Sequence, residues 1–125
     1  MGGFFTYQEA LNHLDSMAAR YPHLITIRDT MNYRTREGRH VYWLKISDNV
    51  TVDENEPEIL YNAIHHAREP NSIAQLIFYM YYLLENYGLD DEVTYLVDNL
   101  EMYFVPCINP DGYIYNEQIE PSGGG

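Results

Sequence analysis

His66 and Glu69 are the two residues of this sequence whose types and spacing best fit a metal site. They stand three positions apart, after an apolar segment that ends at Ile64 and before a helical pattern. Imidazole nitrogens and carboxylate oxygens are common zinc ligands, and two His with one Glu suit a hydrolytic zinc that keeps an open position. Arg68 adds a cation able to hold a carbonyl or a carboxylate. Spacing alone also fits a solvated loop in which His66 and Glu69 only hydrogen-bond, so both interpretations stay open here.

His65 is the neighbouring alternative to His66 as a ligand. Counting the H-x-x-E spacing back from Glu69 reaches His66, and alternation along an extended chain directs His65 to the other side. We therefore favour His66. The remaining histidines are predicted to be solvated: His13, His23 and His40. Cys107 lies in the most apolar segment and is predicted to be a small core residue rather than a nucleophile.

Hydrophobic periodicity predicts three helices around this loop. The first begins at Tyr7 behind a capping box formed by Thr6 and Glu9, and its apolar stripe runs to Tyr21. The second, over about 71–87, is long and ends at Gly88, and the third is short and begins after Asp90 as its N-cap. The loop with His66 and Glu69 therefore lies directly before the long helix.

Four segments rich in β-branched and aromatic residues predict strands: 24–30, 41–47, 58–64 and 102–108. The first two are expected to form an antiparallel hairpin around a turn at 34–39. Segment 58–64 is mostly apolar, which predicts a strand covered on both faces. The sequence Asn109-Pro110-Asp111-Gly112 fits a type I turn.

Strands that alternate with helices predict an α/β fold, with a partial mixed β-sheet of about four strands sandwiched by helices. In open α/β sheets, ligands bind beyond the carboxyl ends of the strands. His66 and Glu69 follow segment 58–64 at such a position. The fold class and the candidate metal pair therefore support the same location for a site.

Composition limits the partners of this chain of 125 residues, which is the length of a single domain over 1–125. It has 19 acidic and 7 basic residues, a net charge of −12. Nucleic acids and anionic membranes are disfavoured, because binding them needs clustered Lys and Arg. No run of about 18 apolar residues occurs, so we expect no transmembrane helix.

Two segments resemble those of zinc metallocarboxypeptidases of the carboxypeptidase A type. The segment 63–70, Ala-Ile-His-His-Ala-Arg-Glu-Pro, resembles the zinc-binding H-x-R-E segment of that family. The segment 109–113, Asn-Pro-Asp-Gly-Tyr, resembles the N-P-D-G-[YF] segment that follows it. The interval between them, filled by a long and a short helix, also matches. Two motifs in the right order are far more specific than either one alone.

The resemblance implies a set of roles. His66 and Glu69 become two of three protein ligands of a single Zn²⁺, and Arg68 becomes a substrate-binding residue near the C-terminal end of a peptide. Residues 109–113 shape the turn beneath the site and carry no catalytic role. The third ligand and the general base are expected downstream, so no catalytic residue is identified in this chain. Glu117 and Glu120 are poor candidates for the base, because they lie in a segment predicted to be an irregular tail.

The resemblance further implies that 1–125 is the truncated N-terminal part of a peptidase catalytic domain, inactive by itself. The expected partners are peptide or protein C-termini, and an open sheet edge predicts self-association. The family setting implies an extracellular or periplasmic protein. Two alternatives remain: a zinc deacylase of the aspartoacylase kind, which also uses H-x-x-E but favours Gly-Asn between the ligands, and a non-catalytic binding module that retains the fold.

Overall fold

A computed structural model describes residues 3–119 of the chain as four helices and a four-stranded sheet. The elements in chain order are α1 (Tyr7–Arg20), β1 (Asp29–Arg34), β2 (His40–Ile46), β3 (Glu58–Asn62), α2 (Asn71–Asn86), α3 (Asp91–Asn99), β4 (Glu101–Val105) and α4 (Pro110–Ile119). The strand order is β1-β2-β4-β3. Strand β2 is antiparallel to β1 and β4, whereas β3 and β4 are parallel. The predicted α/β class with a mixed sheet of four strands is confirmed.

Capping residues mark the starts of α1 and α3 and the end of α2, as predicted. Thr6 and Glu9 form the capping box of α1, and the side chain of Asp90 accepts a hydrogen bond from the backbone N–H of Val93 at the start of α3. Gly88 follows α2 with a φ of +79°, a conformation that glycine adopts without strain. These caps satisfy orphan backbone groups at the helix ends, which is why local sequence determined the helix bounds.

The main core lies between one face of the sheet and the helices. Leu44 and Phe104, opposite each other on β2 and β4, are fully buried in one cluster with Leu14 of α1 and Met80 of α2. The cluster includes the buried apolar residues of α2: Ile73, Leu76, Ile77, Met80, Leu83 and Leu84. Strand β4 pairs with β2 on one side and β3 on the other, and it leads into the second motif, residues 109–113.

The other face of the sheet carries a buried ion pair and a row of apolar side chains. Tyr103 pairs in register with Lys45 and Leu60, so the three residues share this face. The Lys45 Nζ lies 2.8 Å from the Glu101 Oε1, and both side chains are buried. Leu60 is 62% exposed. This face is therefore closed beside Lys45 and open beside Leu60.

Three predictions about the strands and the C-terminal segment were wrong. The hairpin exists, but its first strand is Asp29–Arg34 rather than 24–30, because Ile25 forms only an isolated bridge with Ile46. Strand β3 is not covered on both faces, because Glu58, Leu60 and Asn62, which alternate along it and share one face, are exposed. The segment after Asn109 continues as α4 instead of an irregular tail.

The predicted solvation of the remote histidines is only partly correct. His23 is exposed, as expected. His13 is half-buried, because its Nδ1 lies 3.1 Å from the Tyr81 hydroxyl and its ring packs against Phe5. His40 is also half-buried, at the start of β2. Cys107 is buried as predicted, and burial raises the pKa of its thiol to about 12.

None of the helices within residues 3–119 combines the length and the apolar character needed to cross a lipid bilayer.

Candidate metal centre

The two sequence motifs follow the carboxyl ends of two adjacent parallel strands. Strands β3 and β4 pair in register from Glu58 with Glu101 to Asn62 with Val105. Backbone hydrogen bonds extend this pairing past the strands, from Ala63 N–H to Val105 O at 3.2 Å and beyond. Both motifs therefore begin at the same end of the sheet, beyond the carboxyl ends of β3 and β4. This is the end at which α/β folds bind their ligands.

The loop after β3 begins with an unusual backbone conformation at Ile64. Its φ is +55°, in the left-handed region that β-branched residues rarely adopt. The side chain is 1% exposed, and its carbonyl accepts a hydrogen bond from the Asn109 N–H at 3.0 Å. This conformation changes the direction of the chain two residues before His66. The loop therefore turns away from β3 at Ile64.

His66 and Glu69 face each other across a tight turn. The Glu69 N–H donates to the His66 carbonyl at 3.1 Å, which closes the turn. The His66 Nδ1 then lies 3.2 Å from the Glu69 Oε1, with the two side chains 72% and 59% exposed. A nitrogen donor and an oxygen donor are thus held together on an accessible surface.

This pair fits zinc in donor type and in spacing. Ligand atoms roughly 2.0–2.2 Å from a tetrahedral zinc are about 3.3 Å from each other, close to the observed separation. Within residues 3–119, groups of three or more potential ligand residues with atoms within 4.8 Å of one another are Asp48-Glu54-Glu56 and Asp53-Glu58-Glu101. Neither contains His66 or Glu69. Within the described part of the chain, His66 and Glu69 are therefore a pair of potential ligands with no third one beside them.

His65 and Arg68 lie on the same loop, beside an open depression of about 290 Å³. Both side chains are exposed. The His65 carbonyl accepts a long hydrogen bond, 3.4 Å, from the Asn109 Nδ2. Among the residues that the structure describes, Arg68 has no salt-bridge partner, so its guanidinium is free to meet an anionic or carbonyl group. That fits a substrate-binding role.

The second motif begins α4 rather than forming an isolated turn. The Asn109 Oδ1 accepts from the Gly112 N–H at 3.0 Å, and Pro110 occupies the first helical position. Helix α4 also brings Asn116 to the depression, a residue that sequence reasoning missed. The signal was present, because an Asn cap followed by Pro and Asp is typical of a helix start.

Asp111 ties this helix to the β1–β2 hairpin. Its carboxylate accepts from the Thr35 hydroxyl at 2.9 Å, from the Glu37 N–H at 3.1 Å and from the Arg39 guanidinium at 2.8 Å. Partial burial raises the pKa of Asp111, but these hydrogen bonds outweigh burial and hold the pKa below its ordinary value. The second motif thus joins the start of α4 to the hairpin.

Glu117 is engaged in a hydrogen bond that joins α4 to the start of α1. It lies on α4 and accepts a hydrogen bond from the backbone N–H of Tyr7, while burial raises the pKa of its carboxyl. The prediction of an irregular tail at this position was wrong, although Glu117 remains a poor candidate. Glu120 lies outside the described residues.

An α/β sheet with a nitrogen–oxygen donor pair beyond the carboxyl ends of its strands suits a metal-dependent hydrolase. The family model described as zinc carboxypeptidase matches residues 10–122. The chain belongs to the zinc carboxypeptidase family, as the resemblance indicated.

Individual relatives support the assignment. A zinc carboxypeptidase from Saccharothrix mutabilis subsp. capreolus is 32% identical over 91% of this chain and 26% of its own length. An inactive metallocarboxypeptidase from Saccharomyces cerevisiae is 35% identical over 82% of this chain and 24% of its own. The crystal structure of thrombin-activatable fibrinolysis inhibitor shares the fold, with a TM-score of 0.84 and 22% identity over 96% of this chain and 29% of that one. The chain thus spans about a quarter of the length of these relatives.

Proposed function

We propose that this chain contributes the first part of the metal centre of a zinc metallocarboxypeptidase, which removes C-terminal residues from peptides or proteins. The observation that carries the proposal is the 3.2 Å separation of the His66 Nδ1 and the Glu69 Oε1 on an exposed loop at the carboxyl edge of the sheet. Donor type, spacing and location each suit zinc.

His66 and Glu69 would hold the zinc, together with a ligand from beyond the described residues. Bound zinc supplies a Lewis acid that lowers the pKa of a water molecule and polarises a carbonyl oxygen. Arg68 would orient the substrate by binding the peptide near its C-terminal end. The proton acceptor for the water is expected outside the described part of the chain. Glu117 does not suit that role, because its carboxylate accepts a hydrogen bond from the backbone N–H of Tyr7.

The alternative functions find less support. A deacylase of the aspartoacylase kind shares H-x-x-E, but the family match and the Ala67-Arg68 pair between the ligands favour a carboxypeptidase. A non-catalytic module is represented in the family by the yeast relative named inactive. None of the described contacts of His66, Arg68 or Glu69 favours a non-catalytic module over a metal centre.

A zinc titration of the metal-free chain tests the proposal. Wild type is compared with His66→Ala and with His23→Ala, whose exposed imidazole lies in a different part of the fold. We expect weak binding that His66→Ala abolishes and His23→Ala leaves unchanged, because two ligands make only half of a site. Zinc binding that is indifferent to His66→Ala would overturn the assignment.

A further inference from the structure

The hydroxyl of Ser72 connects both ends of the loop that carries the donor pair. Its Oγ donates to the Glu69 carbonyl at 2.9 Å and accepts from the Ile64 N–H at 3.1 Å. Ile64 precedes His66 by two residues, and Glu69 is itself one of the pair. One side chain in the first turn of α2 therefore fixes the loop before the first donor and at the second.

These bonds do not belong to an ordinary helix cap. A capping side chain accepts from N–H groups of its own helix, whereas Ser72 accepts from Ile64, which lies outside α2. Pro70, the N-cap residue, makes no side-chain capping bond. The hydroxyl of Ser72 therefore serves the loop more than the helix.

The contact with Ser72 matters because Ile64 has an unfavourable backbone conformation. A β-branched residue persists in the left-handed region only where its surroundings over-determine the conformation. At Ile64 the constraints are the buried side chain, the Asn109 N–H on its carbonyl and the Ser72 hydroxyl on its N–H. Loss of the hydroxyl removes one of these three and leaves the Ile64 N–H without its partner, so the loop is free to relax.

We propose that Ser72 is a positioning residue of the metal centre, whose hydroxyl sets the approach of the His66 imidazole to the Glu69 carboxylate. This inference rests on the proposed function. Ser72 acts through the backbone of Ile64 and Glu69 and does not itself bind the metal. Partners that orient metal ligands typically change metal affinity by about 10- to 100-fold when they are removed.

The test compares Ser72→Thr, which keeps the hydroxyl, with Ser72→Val, which has nearly the same shape without it. Ser72→Ala is the simple deletion, and Ser16→Ala is a matched control on the exposed surface of α1. Each variant is titrated with Zn²⁺ alone, and the thermal midpoint of the metal-free chain is measured beside it. Co²⁺ spectra report the ligand environment directly. His66→Ala is included to test the donor pair itself.

We expect Ser72→Val and Ser72→Ala to weaken zinc binding about tenfold, and Ser72→Thr and Ser16→Ala to bind as wild type does. Ser72→Val and Ser72→Ala should also change the Co²⁺ spectrum. If Ser72→Ala fails to fold, the Thr and Val pair decides. Equal affinities for Thr and Val would overturn the positioning role, while the loss in His66→Ala would leave the proposed function standing. Binding that ignores His66→Ala would overturn both.

Discussion

Gly112 lies so close to Ala67 that a Cβ added at position 112 would stand 2.9 Å from the Ala67 Cβ. The same atom would stand 2.8 Å from the Asn109 Nδ2. These distances are shorter than real Cβ contacts. The glycine of the second motif is therefore required by close packing against the loop of the first, and it couples the start of α4 to the candidate metal centre.

Gly112→Ala should destabilise the chain by about 1–3 kcal/mol, because an added methyl group in a packed contact forces the backbone to shift. Urea unfolding measures the change. The double variant Gly112→Ala with Ala67→Gly removes one of the two clashes and should recover part of the loss. A Gly112→Ala variant as stable as wild type would contradict the packing account, as would a double variant whose losses simply add.

Lys45→Met should destabilise the chain by about 3–5 kcal/mol at neutral pH, because it leaves the fully buried Glu101 without its cation. The remaining partners of Glu101 are neutral: the Glu54 N–H at 2.7 Å and the Tyr103 hydroxyl at 3.1 Å. Urea unfolding again gives the value. Arg36→Met is the control, because its exposed side chain lies on the hairpin turn and its loss should cost within about 0.5 kcal/mol.

The stability difference between Lys45→Met and wild type should narrow as the pH falls. Burial raises the pKa of Glu101, but hydrogen bonds from the Glu54 N–H, Lys45 and Tyr103 outweigh it and hold the pKa below its ordinary value. A lowered folded-state pKa stabilises the chain above the unfolded-state value, and this stabilisation disappears as the pH falls through the folded-state pKa. In Lys45→Met the pKa of Glu101 is lowered less, so less stabilisation is lost as the pH falls. Unfolding free energies from pH 7 to about pH 3 test this, and a constant difference would contradict it.

Local sequence predicted those parts of the fold whose stabilising groups are near in the chain. Thr6 and Asp90 start their helices by hydrogen-bonding to backbone groups a few residues away, and Gly88 ends α2 through its own backbone conformation. For this reason α1, α2 and α3 were placed correctly. The first dihedral angles of a type I turn are close to those of a helix, so Asn109-Pro110-Asp111-Gly112 was compatible with both. In the structure, two hydrogen bonds tie α4 to residues remote in sequence. The Tyr113 hydroxyl donates to the Phe5 carbonyl at 2.6 Å, and the Tyr7 N–H donates to the Glu117 carboxylate.

The strands were harder to predict because position in the sheet outweighs propensity. Residues 25–27 have strong β-propensity, yet Ile25 makes only a single bridge, whereas the more polar β1 forms the hairpin. At the site, the motif predicted His66, Arg68 and Glu69 together. The roles of Ile64 and Ser72 depend on a backbone angle and on contacts between the loop, α2 and α4, which no local pattern records.

Self-association of the chain is expected to increase with concentration. Strand β3 has a described partner on one side only, and Leu60 on this strand is 62% exposed. Unpaired strand edges and apolar surface favour pairing with a second copy, and an edge lysine opposes it. Light scattering should therefore show a mass that rises with concentration in wild type and less in Leu60→Lys. Leu89→Lys, at an exposed leucine outside the sheet, is the control. A monomer at high concentration would refute this expectation.

The chain by itself should hydrolyse no peptide, even with zinc added. His66 and Glu69 lie together, and the described depression beside His66 and Arg68 is lined by no Asp or Glu side chain, whereas water activation by zinc needs a proton acceptor. Mass spectrometry of peptides incubated with the folded chain and Zn²⁺ should detect no loss of C-terminal residues, under conditions in which a complete zinc carboxypeptidase removes them. Zinc-dependent release that disappears in Glu69→Ala would show instead that the chain is a working peptidase and that its general base is still to be found.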